Sequence, residues 1–228
     1  MKLRFLVAFG ALTLATASCI FGGEIIDRIV ATVNGQIILQ SDWDDEIRYE
    51  AFAARRAPGA VSAVDRKAAL DHLIDQELLR EQQRAPEAVE PAQSQIDDQI
   101  GELRKEYGAP SSEADWNAIL SAHRLTGDEL RRRVTRQLEL SRVVDLHLRP
   151  SAIISSASIE NYYRQALLPQ LRQSGSGGVS LAEVTPRIRE LLTQQKINEL
   201  LIAWLQTLHA GSEIHTQPYP SSDENVQR

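Results

Sequence analysis

The run from Ile25 to Val33 is rich in β-branched residues. It places Ile25, Ile29, Ala31 and Val33 on one side of an extended chain and Ile26, Arg28, Val30 and Thr32 on the other. Asn34-Gly35 follows, two residues that tolerate positive φ, and Gln36-Ile37-Ile38-Leu39 returns. The pattern predicts a β-hairpin closed by a type I′ turn. A lone two-stranded hairpin is marginal in water, so another part of the chain has to cover it. The period then lengthens: Trp43, Ile47, Ala51 and Ala54 repeat on one helical face, behind Ser41 as N-cap and Asp44 as the third helical residue.

Ala57-Pro58-Gly59-Ala60 breaks that helix, and a second is predicted from about Asp65 to Gln83, with Leu70, Leu73, Ile74, Leu78 and Leu79 as its core face. A loop from Ala85 leads to Pro91, suited to the first position of a third helix marked by Ile96, Ile100, Leu103 and Tyr107. Gly108 and Pro110 end it. Ser111 to His123 reads as a short fourth helix with Trp116, Ile119 and Leu120 inward. Thr126-Gly127-Asp128-Glu129 is a capping box that opens a long helix carrying Leu130, Val134, Leu138 and Val144, closed by Arg149-Pro150. Ser155 or Ser158 begins another, through Ile159, Tyr162 and Tyr163 to Pro169.

The stretch Ser174-Gly175-Ser176-Gly177-Gly178 reads as a flexible tether and carries no phosphate-binding fingerprint. A last helix starts at Ser180, or at Thr185 with Pro186 in its first position, and runs to about His209. Its main stripe is Ile197, Leu201, Trp204 and Leu208. Leu200, Ile202 and Leu205 widen the stripe until the helix is apolar most of the way round, which calls for partners on several sides. Gly211 stops it, Ser212 to Thr216 is compatible with a strand, and the tail over residues 217–228 reads as disordered. The fold class is mostly α (α+β).

Composition adds an address. Lys2 and Arg4 precede an apolar stretch from Phe5 to Ala15, and Ala15-Thr16-Ala17 is a small-residue cleavage site, so residues 1–18 read as a secretory signal cut at Ala17 and Ser18. The single cysteine, Cys19, stands where a bacterial lipoprotein would be acylated, but Thr16 replaces the leucine usual in that motif. Ordinary cleavage is the preferred reading, with anchoring through Cys19 as the alternative. One cysteine forms no intramolecular disulfide. The formal charge is −6, and losing Lys2 and Arg4 with the signal takes it to −8. An exported protein this acidic is a poor nucleic-acid binder. Arg131, Arg132, Arg133, Arg136 and Arg142 share their helix with Asp128, Glu129, Glu139 and Asp145, which points to a solvated, ion-paired face.

The stretch DRIVATVNGQIILQSDWD resembles the opening of the SurA-type periplasmic chaperones, whose core is related in shape to trigger factor and the PrsA foldases. ALDHLIDQELLREQ, from Ala69 to Gln82, agrees in order, as does EVTPRIRELLTQQKINELLIAWLQTLHAGSEIH, from Glu183 to His215. The resemblance implies an N-terminal chaperone core over residues 24–165, completed by a C-terminal helix and strand over residues 181–216 that joins the hairpin. In that family parvulin-type prolyl isomerase domains are inserted where residues 166–180 leave only a linker. The implied function is ATP-independent holding of unfolded exported proteins, such as outer-membrane β-barrel precursors, in the periplasm. A prolyl isomerase foldase of the PrsA or parvulin type is the alternative, and a non-chaperone envelope scaffold is another.

Motifs for catalysis are sparse. His72, His123, His147, His209 and His215 show no ligand spacing and read as exposed or half-buried surface residues. No Gly-x-Ser-x-Gly elbow occurs, and the carboxylates Asp44, Asp45 and Glu46 read as compensation of a helix dipole. No catalytic residue, cofactor or metal is expected. A chaperone instead needs an apolar or mixed cradle. Tyr49 and Phe52 lie off the Trp43-Ile47-Ala51 stripe and are the candidate client contacts, with packing in an ordinary core as the competing reading.

Overall fold

The computed structural model describes residues 27–57, 59–83, 90–173 and 179–217. The signal with Ala17 and Ser18, Cys19, Ile25 and Ile26, the tether and the tail from residue 218 lie outside the described residues.

Strands β1 (Ile29–Val33) and β2 (Gln36–Leu39) form the expected antiparallel hairpin. Asn34 and Gly35 turn it with φ of 49° and 87°, the positive pair a type I′ turn requires. A third strand, β3 (Ile214–Thr216), pairs antiparallel with the other edge of β1, giving the order β2-β1-β3. The two ends of the chain thus share one sheet.

The simple alternation along β1 does not hold. Ile29 opposes Leu39 while Ala31 opposes Ile38, so Val30 is the extra residue of a bulge. Val30, expected on the opposite side, turns inward with Ala31 and Val33, and Ile29, expected beside Ala31 and Val33, is left exposed.

Helix α1 (Gln40–Ala53) leaves β2 without a loop. Ser41 is therefore inside the first turn and is not its cap. Asp42 accepts a hydrogen bond from the Leu39 amide at 3.0 Å, and Asp27, ahead of β1, accepts from the amide and the hydroxyl of Ser41. Trp43, Ile47 and Ala51 are buried as the stripe requires, whereas Ala54 caps the helix and is exposed. Helix α2 (Ala63–Glu81) begins in a capping box of Ser62 and Asp65. Pro91 precedes the N-cap Ala92 of α3 (Gln93–Glu106) and so falls just outside that helix. Helix α4 (Glu113–Ala122) is capped by Ser112, and α5 (Gly127–Leu148) opens in the expected box of Thr126 and Glu129.

A short 3₁₀ turn (Arg149–Ser151) leads to α6 (Ser156–Tyr162), capped by Ser155. That helix does not stop at Pro169. One π-helical turn (Tyr163–Leu167) carries it into α7 (Leu168–Gln173). Proline has no N–H and its ring crowds the carbonyl four residues back, and a widened turn just ahead relieves both problems. The last helix, α8 (Leu181–Ala210), is capped by Ser180 and Glu183, with Pro186 in its interior.

Three apolar clusters hold these elements. The first joins the sheet to α1 and α2 through Val33, Trp43, Ile74 and Leu78, with Leu208 and Ile214 packed against it. The second surrounds Phe52 with Ile96, Trp116, Leu120 and Val134. The third sets Ile197 against Leu148 and Ala152, beside Leu201 and Trp204. Helix α8 touches α2, α5 and α6, yet Leu191 and Ile202 stay exposed, so its apolar circumference is only partly covered. Truncation after Gly178 removes α8 and β3 together. The remaining fragment is expected to lose cooperative melting by circular dichroism and calorimetry; a transition at the full-length temperature would sink this account. Ile197→Ala, at a site 1 % exposed, is expected to cost about 2–5 kcal/mol in urea unfolding.

Candidate functional site

Helical spacing turns one face of α1 toward the sheet and sets Asp42, Asp45, Glu46 and Tyr49 toward α5 and α2. There an open cleft of about 1030 Å³ runs between β2, α1 and α2 on one side and α5 and α8 on the other. Apolar side chains line it from four elements: Ile37, Leu73, Leu79, Leu138, Leu140, Val144, Leu201 and Leu205. Glu77, Arg80, Glu139 and Arg142 stand among them. The surface is mixed, and much of its apolar part is half-buried rather than sealed in a core.

One wall is organised by Glu46, which is 1 % exposed. Arg133 of α5 donates to one of its oxygens, and the Nδ1 of His72 on α2 lies 3.2 Å from the other and 3.2 Å from Glu50. Gln76 approaches Glu46 at 3.5 Å. Burial alone would raise the Glu46 pKa, but the hydrogen bond from His72 and the charge and hydrogen bond of Arg133 outweigh it and hold the carboxyl below its ordinary range. Bonds to Glu46 and Glu50 push His72 up to about 10. An imidazolium and a guanidinium therefore clamp one buried carboxylate, tying α1 to α2 and α5.

Tyr49 sits at the same wall. The Arg133 guanidinium lies 5.0 Å over its ring, and its hydroxyl reaches Gln137 at 3.2 Å. Phe52 is placed otherwise. It is wholly buried, stacked at 5.1 Å on Tyr107 and edge-on to His123, because one further turn carries it past the cleft into the second cluster. The core reading holds for Phe52, while Tyr49 faces the cleft.

The arginines of α5 also depart from expectation. Their partners come largely from other helices: Arg131 pairs with Asp97, Arg142 with Gln95 and Arg133 with Glu46. Packing against α1 and α3 supplies the carboxylates of Glu46 and Asp97 and the amide of Gln95. His123 is buried rather than exposed or half-buried, and desolvation lowers its pKa. His147 stacks on Trp204 at 4.0 Å, and His209 bonds Asp75 across α8 and α2 at 2.6 Å.

Among the described residues, Glu46, Glu50 and His72 alone bring three potential metal ligands within 4.8 Å of one another. Their ligand atoms are already engaged with each other and Arg133, so the set serves as an ion-paired clamp. The Asp44-Asp45-Glu46 run concealed this role, since only burial separates Glu46 from its neighbours.

The hairpin, α1 to α4, most of α5 and the part of the cleft they wall lie where a family model for the SurA-like N-terminal domain matches, over residues 2–144, whereas the α8 wall lies beyond it. The chain belongs to the SurA-like N-terminal domain family. A solved structure from work on PEB4 and Cj1289, described as structurally related SurA-like chaperones of Campylobacter jejuni, aligns at 11 % identity with a TM-score of 0.46. The alignment covers 84 % of this chain and 99 % of that one. No curated protein matches. No helix among the described residues of this SurA-like chain is long and apolar enough to cross a membrane.

The clamp makes stability depend on pH with a definite sign. His72 binds its proton more tightly folded than unfolded, so its contribution is fully present below about pH 6.5 and fades as pH rises toward 10. Urea midpoints of the wild type should fall across that window, and His72→Gln should flatten the fall; an unchanged slope in the variant counts against the clamp. Removing the buried partner, in Glu46→Ala, should cost about 3–5 kcal/mol by leaving Arg133 uncompensated.

Proposed function

We propose that this SurA-like chain is an ATP-independent periplasmic chaperone that holds unfolded exported proteins, outer-membrane β-barrel precursors among them, in the cleft between α1, α2, α5 and α8. The observation that carries the reading is the cleft itself: about 1030 Å³, open, apolar on several elements and interrupted by charges of both signs. An extended client can lay apolar side chains on Ile37, Leu140, Leu201 and Leu205 without matching one sequence. Family membership supports the chaperone class. Residues 1–18 supply the exported address, and the mass of the mature N-terminus distinguishes cleavage at Ala17 and Ser18 from acylation of Cys19.

Helix α7 ends at Gln173 and α8 begins at Leu181, which favours holding over an isomerase foldase: a catalytic insertion needs ~50 residues or more. Purified protein is therefore expected to leave the cis-trans rate of a proline peptide unchanged. Saturable acceleration that survives repurification would move the reading to the foldase.

Dilution of urea-unfolded barrel precursors with the chaperone in modest excess should suppress light scattering. No suppression by several clients at several-fold excess would instead favour an envelope scaffold. Within the cleft, Ile37→Ser with Tyr49→Ser should weaken client binding several-fold, while Ile37→Ser alone should leave the melting temperature nearly intact because Ile37 is 54 % exposed. Phe52→Ser serves as the contrast, a core lesion of about 3–5 kcal/mol.

A further inference from the structure

Glu129, Arg132, Arg133 and Arg136 follow one another at i, i+3, i+4 and i+7 along α5, so they share a face. That face meets Asp45 and Arg48 of α1 and Arg124 from the turn that ends α4, around a pocket of about 220 Å³. Five guanidinium groups and two carboxylates line it. The carboxylates are engaged: Asp45 is paired to Arg48, and Glu129 accepts the Thr126 amide and hydroxyl in the capping box. Arg133 is held from behind by Glu46. Even with Glu46 counted, the pocket keeps two positive charges in excess, in a chain whose formal charge is −6.

We propose that this α1–α5 pocket binds a compact oxyanion, a carboxylate or phosphate group carried either by a free small molecule or by a bound chain. Guanidinium forks fit paired oxygens, and several forks converging on one pocket select a group with two or more of them. The volume falls below the ~300 Å³ at which pockets for drug-sized ligands begin, which fits one such group with a few waters. The guanidinium groups crowd one another at Arg136, whose pKa is lowered by partial desolvation within the pocket and by the neighbouring Arg133 and Arg132. The Nε of Arg48 is buried without a hydrogen-bond partner among the described residues. Asp45, Arg133 and Arg136 also line the client cleft, so the pocket opens beside it.

The inference does not rest on the chaperone reading: the pocket shares Asp45, Arg133 and Arg136 with the cleft but not the apolar Leu140, Leu201 and Leu205 proposed to hold clients. Calorimetric titration of the full chain with inorganic phosphate and with citrate, at constant ionic strength in chloride, provides the test. A third arm uses a capped peptide with two adjacent aspartates, against its asparagine version. Saturable binding of at least one of these is expected, weakened about tenfold by Arg136→Gln and by Arg132→Gln but not by Arg164→Gln, an arginine of the α6–α7 helix. Arg132 and Arg136 are both exposed and Arg136 carries a disfavoured charge, so neither variant threatens folding. Peptide binding that requires the aspartates identifies a chain-borne group, and binding of phosphate or citrate alone identifies a free one. No saturable binding by 10 mM, or binding that survives both α5 substitutions, overturns the proposal.

Discussion

The constraint on which the rest depends is that β1 has two edges and the hairpin supplies a partner for only one. Unpaired strand edges invite association with other chains, and here the free edge is closed by β3 from the far end of the sequence. The closure is small but well fixed. The Asn34 amide bonds the Glu213 carbonyl at 2.9 Å, the Asn34 side chain accepts from the Glu213 amide at 2.9 Å, and Gln217 reaches the Val30 carbonyl at 2.7 Å. Asn34 further donates to Glu81 and Ser212. A residue chosen by turn geometry for its positive φ thereby also clasps the C-terminus. Because only Gly211, Ser212 and Glu213 separate α8 from β3, pinning β3 at the sheet fixes where a thirty-residue helix packed on α2 and α5 ends.

Legibility followed the range of the forces involved. Turn and cap chemistry act within four residues, so Asn34-Gly35, the Thr126–Glu129 box and the capping of α8 at Ser180 can be read from neighbours in the chain. Helix faces with strong periodicity, such as Leu70, Ile74 and Leu78, were equally plain. The errors have a common cause, a distant group overriding a local preference. Asp27 holds the amide and hydroxyl of Ser41, which looked like a cap. Register with β2 forces a bulge at Val30 that alternation alone does not reveal. Phe52 is off the main stripe of α1 because it serves a second cluster built from α3, α4 and α5, and no periodicity within α1 distinguishes that from exposure. The chaperone fold class was legible because it rests on elements; the cleft wall was not, because it rests on which charges become buried.

Glu46 shows how such a burial shapes the cleft wall. Replacing Glu46, Arg133 and His72 together by apolar residues would remove a desolvation cost, so the buried ion pair is weak evidence of net stability. Its effect here is directional. Arg133 and His72 approach from different helices and can satisfy both oxygens only in one relative placement of α1, α2 and α5. A purely apolar contact at this wall would tolerate sliding, and the cleft would lose its outline. The same pairing offsets the charge that Arg133 brings to the α1–α5 pocket it lines, so the clamp sets how much positive charge that pocket keeps.

A surface that holds unfolded chains must be apolar enough to bind them and not so continuous that copies of the protein bind each other. On the proposed chaperone reading, the cleft would meet both demands by interleaving: Leu138, Leu140 and Val144 alternate along α5 with Gln137, Glu139, Ser141 and Arg142. The same interruption limits affinity. A client loses chain entropy when it lies along the cleft, so burial of a few apolar side chains yields less net binding than area alone implies. Micromolar affinity corresponds to about 8 kcal/mol, weak enough for spontaneous release. On that reading release would need no nucleotide, because charged interruptions in the apolar surface would keep each contact weak.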